Sequence, residues 1–239
     1  MSKFNLIYWC LLLLCGAAAN AQATNLVIHF INKANNKKIV LNEASYTNNF
    51  GESYQLSKLK YYVSNITLQN GNTATYNKNV YLIENDTNNI IQINNVTLPL
   101  QALQFQIGVD SILNCSGAQS GSLDPLNNMF WTWNSGYIMF KAEGYSSNST
   151  AINNKIEYHI GGYLPNQQTM RTISIPINAN QIKKFNNALH LYVAMNMDAF
   201  WNHQYAIKIA ETPVIATPGV LAVHAANNFV GMFQQTDAE

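Results

Sequence analysis

The sequence predicts an all-β protein, a single antiparallel β-sandwich domain with one or two short helices and a helix near the C-terminus. Three observations support this class. Asparagine accounts for 35 of the 239 residues, and asparagine favours turns and left-handed backbone. Hydrophobic residues make up 48% of the chain, which is enough for a sizeable core. Short runs of β-branched and aromatic residues alternate with the asparagine-rich turns.

The first residues have the features of a secretory signal peptide. Residues 6–14 are apolar, and Ala19-Asn20-Ala21 matches a signal-peptidase site. We therefore expect a signal peptide over residues 1–21, one mature domain over 22–239, and export to the periplasm or the outer cell surface. The apolar run is too short for a transmembrane helix, and no later segment is long enough to be one.

The segments after the signal define the elements of the expected sandwich. Strands are predicted over 26–31, 38–41, 54–68, 80–84, 90–93, 103–109, 136–142, 155–161, 172–177, 189–195 and 205–209. Asn70-Gly71 is a hairpin signal. Helices are predicted over 181–187 and 220–232. The longest predicted loop, 114–129, is rich in glycine and serine, and loops of that length are uncommon unless they are functional.

Charge and motifs argue against several classes of function. Charged residues are only 10% of the chain and the formal net charge is +1, whereas nucleic-acid binders carry a basic patch. The sequence contains no Walker loop, no G-x-G-x-x-G, no G-x-S-x-G and no H-E-x-x-H motif. We therefore predict no catalytic residue and expect a protein that is not an enzyme. A Ser-His-Asp triad defined by geometry alone stays open.

Cysteine usage excludes an internal disulfide framework. Cys10 and Cys15 would leave with the signal peptide, so Cys115 is the remaining thiol. Leu14 immediately before Cys15 fits a lipoprotein site poorly, which makes lipidation the less favoured alternative. A lone thiol in an exported protein is buried as a small hydrophobe, reactive, paired with another chain, or a metal ligand.

Two histidines stand in the middle of predicted strands. His29 shares a strand face with Val27 and Ile31, and His159 shares one with Glu157. An imidazole on such a face needs a hydrogen-bond partner or a metal. Each is therefore either a satisfied structural histidine or a ligand, and convergence of the two strands would favour a ligand. The other three histidines are less informative: His190, His203 and His224.

The densest aromatic segment is 129–137, which contains Trp131 and Trp133. In an extended chain these two indoles point to the same side. An aromatic core layer explains them well, and a functional aromatic pair is the alternative.

Several segments resemble the MbnP-like family of exported proteins. The matching segments are 59–66, 105–111, 123–126, 129–137, 140–144, 159–163 and 226–233, with Met-Phe-Trp-Thr-Trp-Asn-Ser-Gly-Tyr as the central block. The family is related to a periplasmic protein of methanobactin gene cassettes and to copper-repressible surface proteins of methanotrophs. The asparagine-rich composition and the Gly-Gly after His159 are similar to its Bacteroidota branch.

The resemblance implies a β-sandwich that binds copper, best as Cu(I), in copper acquisition or handling. In the methanotroph relatives, histidines and a tryptophan oxidised to kynurenine form the site, and a di-haem enzyme of the peroxidase type is the expected partner for that oxidation. Imidazole is a suitable ligand for copper. Kynurenine would add an aryl amine with a nitrogen lone pair.

Carried over to this chain, the resemblance implies the metal ligands His29, His159, Trp131, Trp133 and Cys115. His159 matches the histidine before Gly-Gly, and His29 lies on the first strand. The two tryptophans match the W-x-W pair, in which Trp133 is the preferred site of oxidation. Cys115 stands where methanotroph members often carry histidine, so either a softer thiolate replaces the imidazole or that ligand is missing.

A second function remains open beside copper binding. The asparagine- and tyrosine-rich composition also fits a recognition sandwich without a metal, which would bind a peptide, a glycan or an envelope partner through its aromatic loops. The two functions differ in whether the folded protein takes up stoichiometric Cu(I).

Overall fold

The computed structural model describes residues 24–238 except Asp86, Ala118 and Trp133. The predicted signal peptide over residues 1–21 therefore lies outside the described residues. The strands are β1 (Thr24–Ala34), β2 (Lys37–Lys38), β3 (Ser45–Thr47), β4 (Ser53–Asn70), β5 (Thr73–Glu84), β6 (Ile90–Val96), β7 (Ala102–Ile107), β8 (Phe130–Thr132), β9 (Gly136–Tyr145), β10 (Lys155–Gly161), β11 (Arg171–Pro176), β12 (Lys183–Phe185), β13 (Ala188–Asn196), β14 (Val214–Ile215) and β15 (Phe233–Thr236). The α-helices are α1 (Ser111–Cys115), α2 (Met197–Trp201) and α3 (Val220–Asn227).

These strands form two sheets. The first sheet has the order β12-β13-β1-β2, with β6 paired to β1 and β15 paired to β13. The second sheet has the order β11-β7-β4-β9-β10-β14, with β3 and β5 paired to β4 and β8 paired to β9. Most neighbours are antiparallel, but β1 with β13 and β10 with β14 are parallel pairs.

Alternating burial places the main core between the two sheets. On β1, Leu26, Ile28 and Phe30 are buried, whereas the residues between them are partly exposed. The Phe30 ring packs edge-on against Tyr61 and Phe105 of the second sheet, at centroid distances of 6.2 and 5.7 Å. The predicted all-β sandwich is therefore confirmed, and residues that alternate with the core positions lie on the outer faces.

Asparagine builds the turns, as its abundance predicts. Among the described residues, every non-glycine residue with positive φ is an asparagine, because its short amide side chain tolerates left-handed backbone. These residues are Asn35, Asn36, Asn42, Asn65, Asn95, Asn128, Asn153, Asn154, Asn186 and Asn187. The hairpin predicted at Asn70-Gly71 is confirmed as the β4–β5 turn, with Gly71 at φ +56°.

The predicted C-terminal helix is confirmed as α3, which continues into a 3-10 turn (Asn228–Gly231). Three other predicted elements are wrong. Of the predicted strand 38–41, only Lys38 belongs to a strand, the two-residue β2. The segment 181–187 contains strand β12 after a 3-10 turn, since a helix this short does not repay the cost of its nucleation. The segment 205–209 forms only an isolated bridge, from Ala206 to Asn202. In the described part of the chain, no helix has the length and apolarity needed to cross a membrane.

Candidate metal sites

The loop before β8 folds over one end of the outer face of the second sheet. It covers a small second core that includes Tyr62 and Tyr137. The Tyr62 hydroxyl donates to the Ser122 carbonyl at 3.0 Å, and the Tyr137 hydroxyl donates to the Leu123 carbonyl at 2.7 Å. These two hydrogen bonds hold the long predicted loop, 114–129, on the second sheet.

Trp131 packs at the edge of this second core and against β10. A Cβ atom on Gly161 would lie 2.7 Å from Trp131 Cζ3, so the indole lies directly on the glycine. Gly161 follows His159 by two residues on the same strand. The structure therefore brings Trp131 and His159 to the same part of the second sheet. Trp133, the preferred site of oxidation, lies outside the described residues.

The His159 imidazole is held by a carboxylate. His159 Nε2 lies 2.8 Å from Glu143 Oε1, and the histidine side chain is 14% exposed. An ionised carboxylate only accepts hydrogen bonds, so Nε2 carries the proton and donates it to Glu143. In the neutral form of the ring, Nδ1 then keeps its lone pair. It lies 3.7 Å from Glu157 Oε1, beyond hydrogen-bond distance. A carboxylate behind one ring nitrogen is the usual support of a metal-binding histidine.

Glu143 is the centre of this charged surface. The hydrogen bond from His159, followed by that from Lys58, lowers the pKa of Glu143 to about 2, although burial opposes the shift. Lys58 Nζ lies 2.8 Å from Glu143 Oε2. Lys141 donates to the Asn128 carbonyl and lies 3.7 Å from Glu143 Oε1, and burial lowers its pKa. The carboxylate thus stays ionised and keeps the His159 proton on Nε2.

Cys115 is exposed at the end of α1, which contradicts the interpretation as a buried small hydrophobe. Desolvation, and then the nearby Cys115 thiol, raise the pKa of the Tyr163 hydroxyl. That hydroxyl also reaches the Asn134 carbonyl at 3.5 Å. Cys115 therefore adjoins the turn between β8 and β9, beyond the end of β10.

His29 lies on the outer face of the first sheet, whereas His159 lies on the outer face of the second. The core separates the two faces, so the structure does not bring His29 and His159 together. The neighbour of His29 is His190 on β13, with His29 Nε2 2.9 Å from His190 Nδ1. Burial, and then the proximity of His190, lower the pKa of His29.

Sequence reasoning missed His190. Its position within the predicted strand 189–195 was a usable signal, because the two candidate histidines also lie within predicted strands. The parallel pairing of β1 with β13 was not visible in the sequence. Among the remaining histidines, His224 stacks on Tyr205 with a centroid distance of 4.0 Å. Within the described residues, no group of three or more His, Cys, Asp or Glu side chains is arranged to hold a metal ion.

Comparisons with known proteins agree with this architecture. No curated protein matches the chain significantly. The solved structure of MbnP from Methylosinus trichosporium is similar, with a TM-score of 0.60 over 79% of this chain and 80% of that chain. The two sequences are 13% identical, so this likeness concerns the fold alone. A family model described as MbnP matches residues 23–218, which is most of the sequence. The chain therefore belongs to the MbnP family.

Proposed function

We propose that this protein is an exported copper-binding protein that takes part in copper acquisition or handling and holds Cu(I) on the outer face of its second sheet. One observation carries the proposal. Trp131 lies on Gly161, two residues from His159, so the motif tryptophan and the motif histidine share one region of that face. Family membership supports a copper-related role, and the proposed role is binding rather than catalysis.

The donor set fits a soft copper ion. His159 offers an unprotonated Nδ1 because Glu143 fixes its proton on Nε2. Imidazole nitrogen is a good copper ligand, and a ring-opened tryptophan would add an aryl amine beside it. Copper would be the cargo of this surface. The protein's residues orient the imidazole, present the indole and keep the carboxylate of Glu143 ionised.

The proposed modification site is Trp131 or Trp133. Opening the indole to kynurenine needs an external oxidant, for which we propose a partner of the di-haem peroxidase type. The role of this chain is to present its tryptophan at the surface. Cys115 adjoins the same β8–β9 turn through Tyr163 and is the candidate thiolate ligand.

A recognition module without metal is the second candidate. It is favoured by two exposed apolar side chains, Ile112 on α1, which is 79% exposed, and Leu126 on the long loop, which is 85% exposed. Exposed apolar residues on a surface segment that is held in place by hydrogen bonds are typical of a contact with a partner protein. This candidate predicts that the folded protein takes up no stoichiometric Cu(I).

The first test is an anaerobic Cu(I) titration of the purified protein against a chromophoric Cu(I) chelator. His159→Asn should remove one tightly bound equivalent, or lower its affinity by at least about tenfold, because a ligand is lost. His224→Asn is the matched control, since this histidine stacks on Tyr205 on another element. Wild-type stoichiometry and affinity in His159→Asn would reject the site. No uptake by the wild-type protein would favour the recognition module.

The second test addresses the tryptophan. Protein purified from its native envelope should show by peptide mass spectrometry the mass change of kynurenine at Trp131 or Trp133. Trp131→Phe and Trp133→Phe remove one candidate each while keeping an aromatic ring. Unmodified tryptophans together with bound Cu(I) would reduce the proposal to a site of histidine and cysteine ligands.

A further inference from the structure

We propose that His29 and His190 form a second Cu(I) site, on the outer face of the first sheet. This site goes beyond the proposed function, because it shares no residue with the surface around Trp131 and His159. It is built by the parallel pairing of β1 and β13, in which Val27 stands opposite His190 and His29 stands opposite Tyr192. The two histidines are therefore diagonal neighbours on one face.

The two imidazoles direct their nitrogens at each other. His29 Nε2 and His190 Nδ1 are 2.9 Å apart, which is the distance of a hydrogen bond with one shared proton. Two imidazole nitrogens that ligate one metal at about 2.0–2.1 Å lie about 3.3–4 Å apart, depending on the angle at the metal. A separation of the rings by roughly 0.5–1 Å would thus admit a metal ion. The shared proton would move to the other nitrogen of the ring that donated it, so that both imidazoles stay neutral and both facing nitrogens ligate the ion.

The rings around the pair determine which imidazole can move. Phe185 stacks on His190 with a centroid distance of 3.5 Å and an interplanar angle of 9°. Tyr192 stacks on His29 at 4.6 Å and 13°. His190 is only 6% exposed, whereas His29 is half-buried. His190 is therefore the fixed ligand, and His29 is the ring that opens outward to admit the ion.

The hydrogen bonding of His190 does not suit a purely structural role. Its Nε2 is buried and has no partner among the described residues. If His29 donates the shared proton, His190 keeps its own proton on this unpaired nitrogen; if His190 donates, Nε2 is an unpaired acceptor. Either state leaves a buried polar atom unsatisfied, which proteins normally avoid. A structural histidine would use both nitrogens, whereas His190 uses only the one that faces His29.

Charge and ligand number select the type of ion. In the described part of the chain, neither imidazole pairs with a carboxylate, and no third His, Cys, Asp or Glu completes a metal site. Lys183 stands opposite His190 on β12 and adds positive charge to this edge. Structural Zn²⁺ takes four ligands and Ca²⁺ six to eight, so two neutral nitrogens do not suit these dications. A soft monovalent ion that accepts two nitrogen ligands fits, which is Cu(I), with Ag(I) as its redox-inert substitute.

The test combines stoichiometry with a direct view of the histidines. The purified protein and the variants His29→Asn, His190→Asn and His159→Asn are titrated anaerobically with Cu(I) against a chromophoric chelator, and His224→Asn is the control. We expect His29→Asn and His190→Asn each to lower the affinity of the same equivalent by at least about 100-fold, more than the loss of a supporting residue. His159→Asn should leave that equivalent in place.

These variants separate the two proposals. If one equivalent is lost with His29 or His190 and none with His159, the second site stands and the proposed function at the Trp131–His159 surface fails. If only His159→Asn loses an equivalent, the second site is rejected. Unchanged binding in both His29→Asn and His190→Asn also rejects it.

A measurement on the wild-type protein guards against misfolded variants. One equivalent of Ag(I) should shift the imidazole resonances of His29 and His190 in ¹⁵N-correlated NMR spectra and leave those of His224 unchanged. Imidazole resonances of His29 and His190 that do not respond to Ag(I) would overturn the proposal, whatever the variants show.

Discussion

His29 Nε2 lies 2.9 Å from His190 Nδ1, although 161 residues separate the two histidines in the sequence. The contact links β1 to β13 at the centre of the first sheet. Each imidazole also stacks on an aromatic neighbour, Tyr192 beside His29 and Phe185 beside His190. The metal-free protein therefore contains a histidine pair whose members depend on each other.

We expect the pair to be energetically coupled in the metal-free protein. His29→Ala leaves both buried nitrogens of His190 unpaired and should lower the free energy of unfolding by about 1–3 kcal/mol. His29→Ala and His190→Ala together should cost less than the sum of the single changes, by about 0.5–1.5 kcal/mol. Urea unfolding of the four proteins in the presence of a metal chelator measures the cycle. Strict additivity would show that the 2.9 Å contact contributes nothing.

Gly161 should be essential for the position of Trp131. An alanine Cβ there would lie 2.6 Å from the Tyr137 carbonyl oxygen and 2.7 Å from Trp131 Cζ3. Gly161→Ala should therefore cost about 1–3 kcal/mol and displace the indole. Thermal unfolding measures the stability, and near-ultraviolet circular dichroism reports the aromatic packing. Gly71→Asn is the control, because Gly71 has φ +56° with open space around its Cβ position. An unchanged spectrum for Gly161→Ala would contradict the packing.

Asn114 should be structural rather than a ligand. Its buried amide donates from Nδ2 to the Val109 carbonyl at 2.8 Å and accepts at Oδ1 from the Tyr137 backbone N–H at 2.8 Å. Asn114→Ala leaves these backbone groups unpaired and should lower the free energy of unfolding by about 2–3 kcal/mol. The exposed Ser116→Ala should change it by less than about 0.5 kcal/mol. Chemical denaturation of both variants checks the difference, and equal effects would refute it.

Glu84 should make stability depend on pH. Partial burial of its carboxylate raises the pKa, but hydrogen bonds from Lys60 and Thr87 outweigh burial, and the net pKa is lowered. The contribution to stability is therefore present above the pKa of the unfolded chain, about 4.3, and is lost as the pH falls through the folded-state pKa. Glu84→Gln should destabilise the protein at pH 7 and lose less stability than wild type on acidification.

The measurement for Glu84 is urea unfolding between pH 3 and pH 7. The curves for wild type and Glu84→Gln should converge at the acid end. Glu211→Gln is the control, because Glu211 pairs with Lys208 in a strongly exposed ion pair, and exposed pairs contribute little. Curves for Glu84→Gln and wild type that stay parallel over the whole range would contradict the prediction.

The sequence predicted much of the fold because the signals were local. The alternation in 26–31 and 155–161 identified both strands that carry the candidate histidines and placed each histidine opposite its core-facing neighbours. Asn70-Gly71 identified a hairpin, and the helix over 220–232 was found in the correct place. The signal was weak for 181–187 and 205–209. Residues 183–185 pair with the next strand, β13, across the Asn186-Asn187 turn, and Ala206 forms only a bridge to Asn202.

The candidate sites likewise include features that the sequence predicted and features that it did not. Residue types and the family resemblance selected Trp131 and His159, and the structure brings them together because both lie at one end of the second sheet. The metal role of Cys115 stays a prediction, as does oxidation of Trp133. The expected association of His29 with His159 fails because the strands that carry them belong to different sheets.

By itself the sequence determined that this chain is an all-β protein with asparagine-built turns, and which side chains of each strand face away from the core. These properties depend on the two-residue period of a strand and on the backbone preferences of single residues. Only the tertiary structure decided that His29 meets His190 and that His159 meets Glu143. Strand pairing across long sequence separations depends on the packing of the whole core, and no local pattern encodes it.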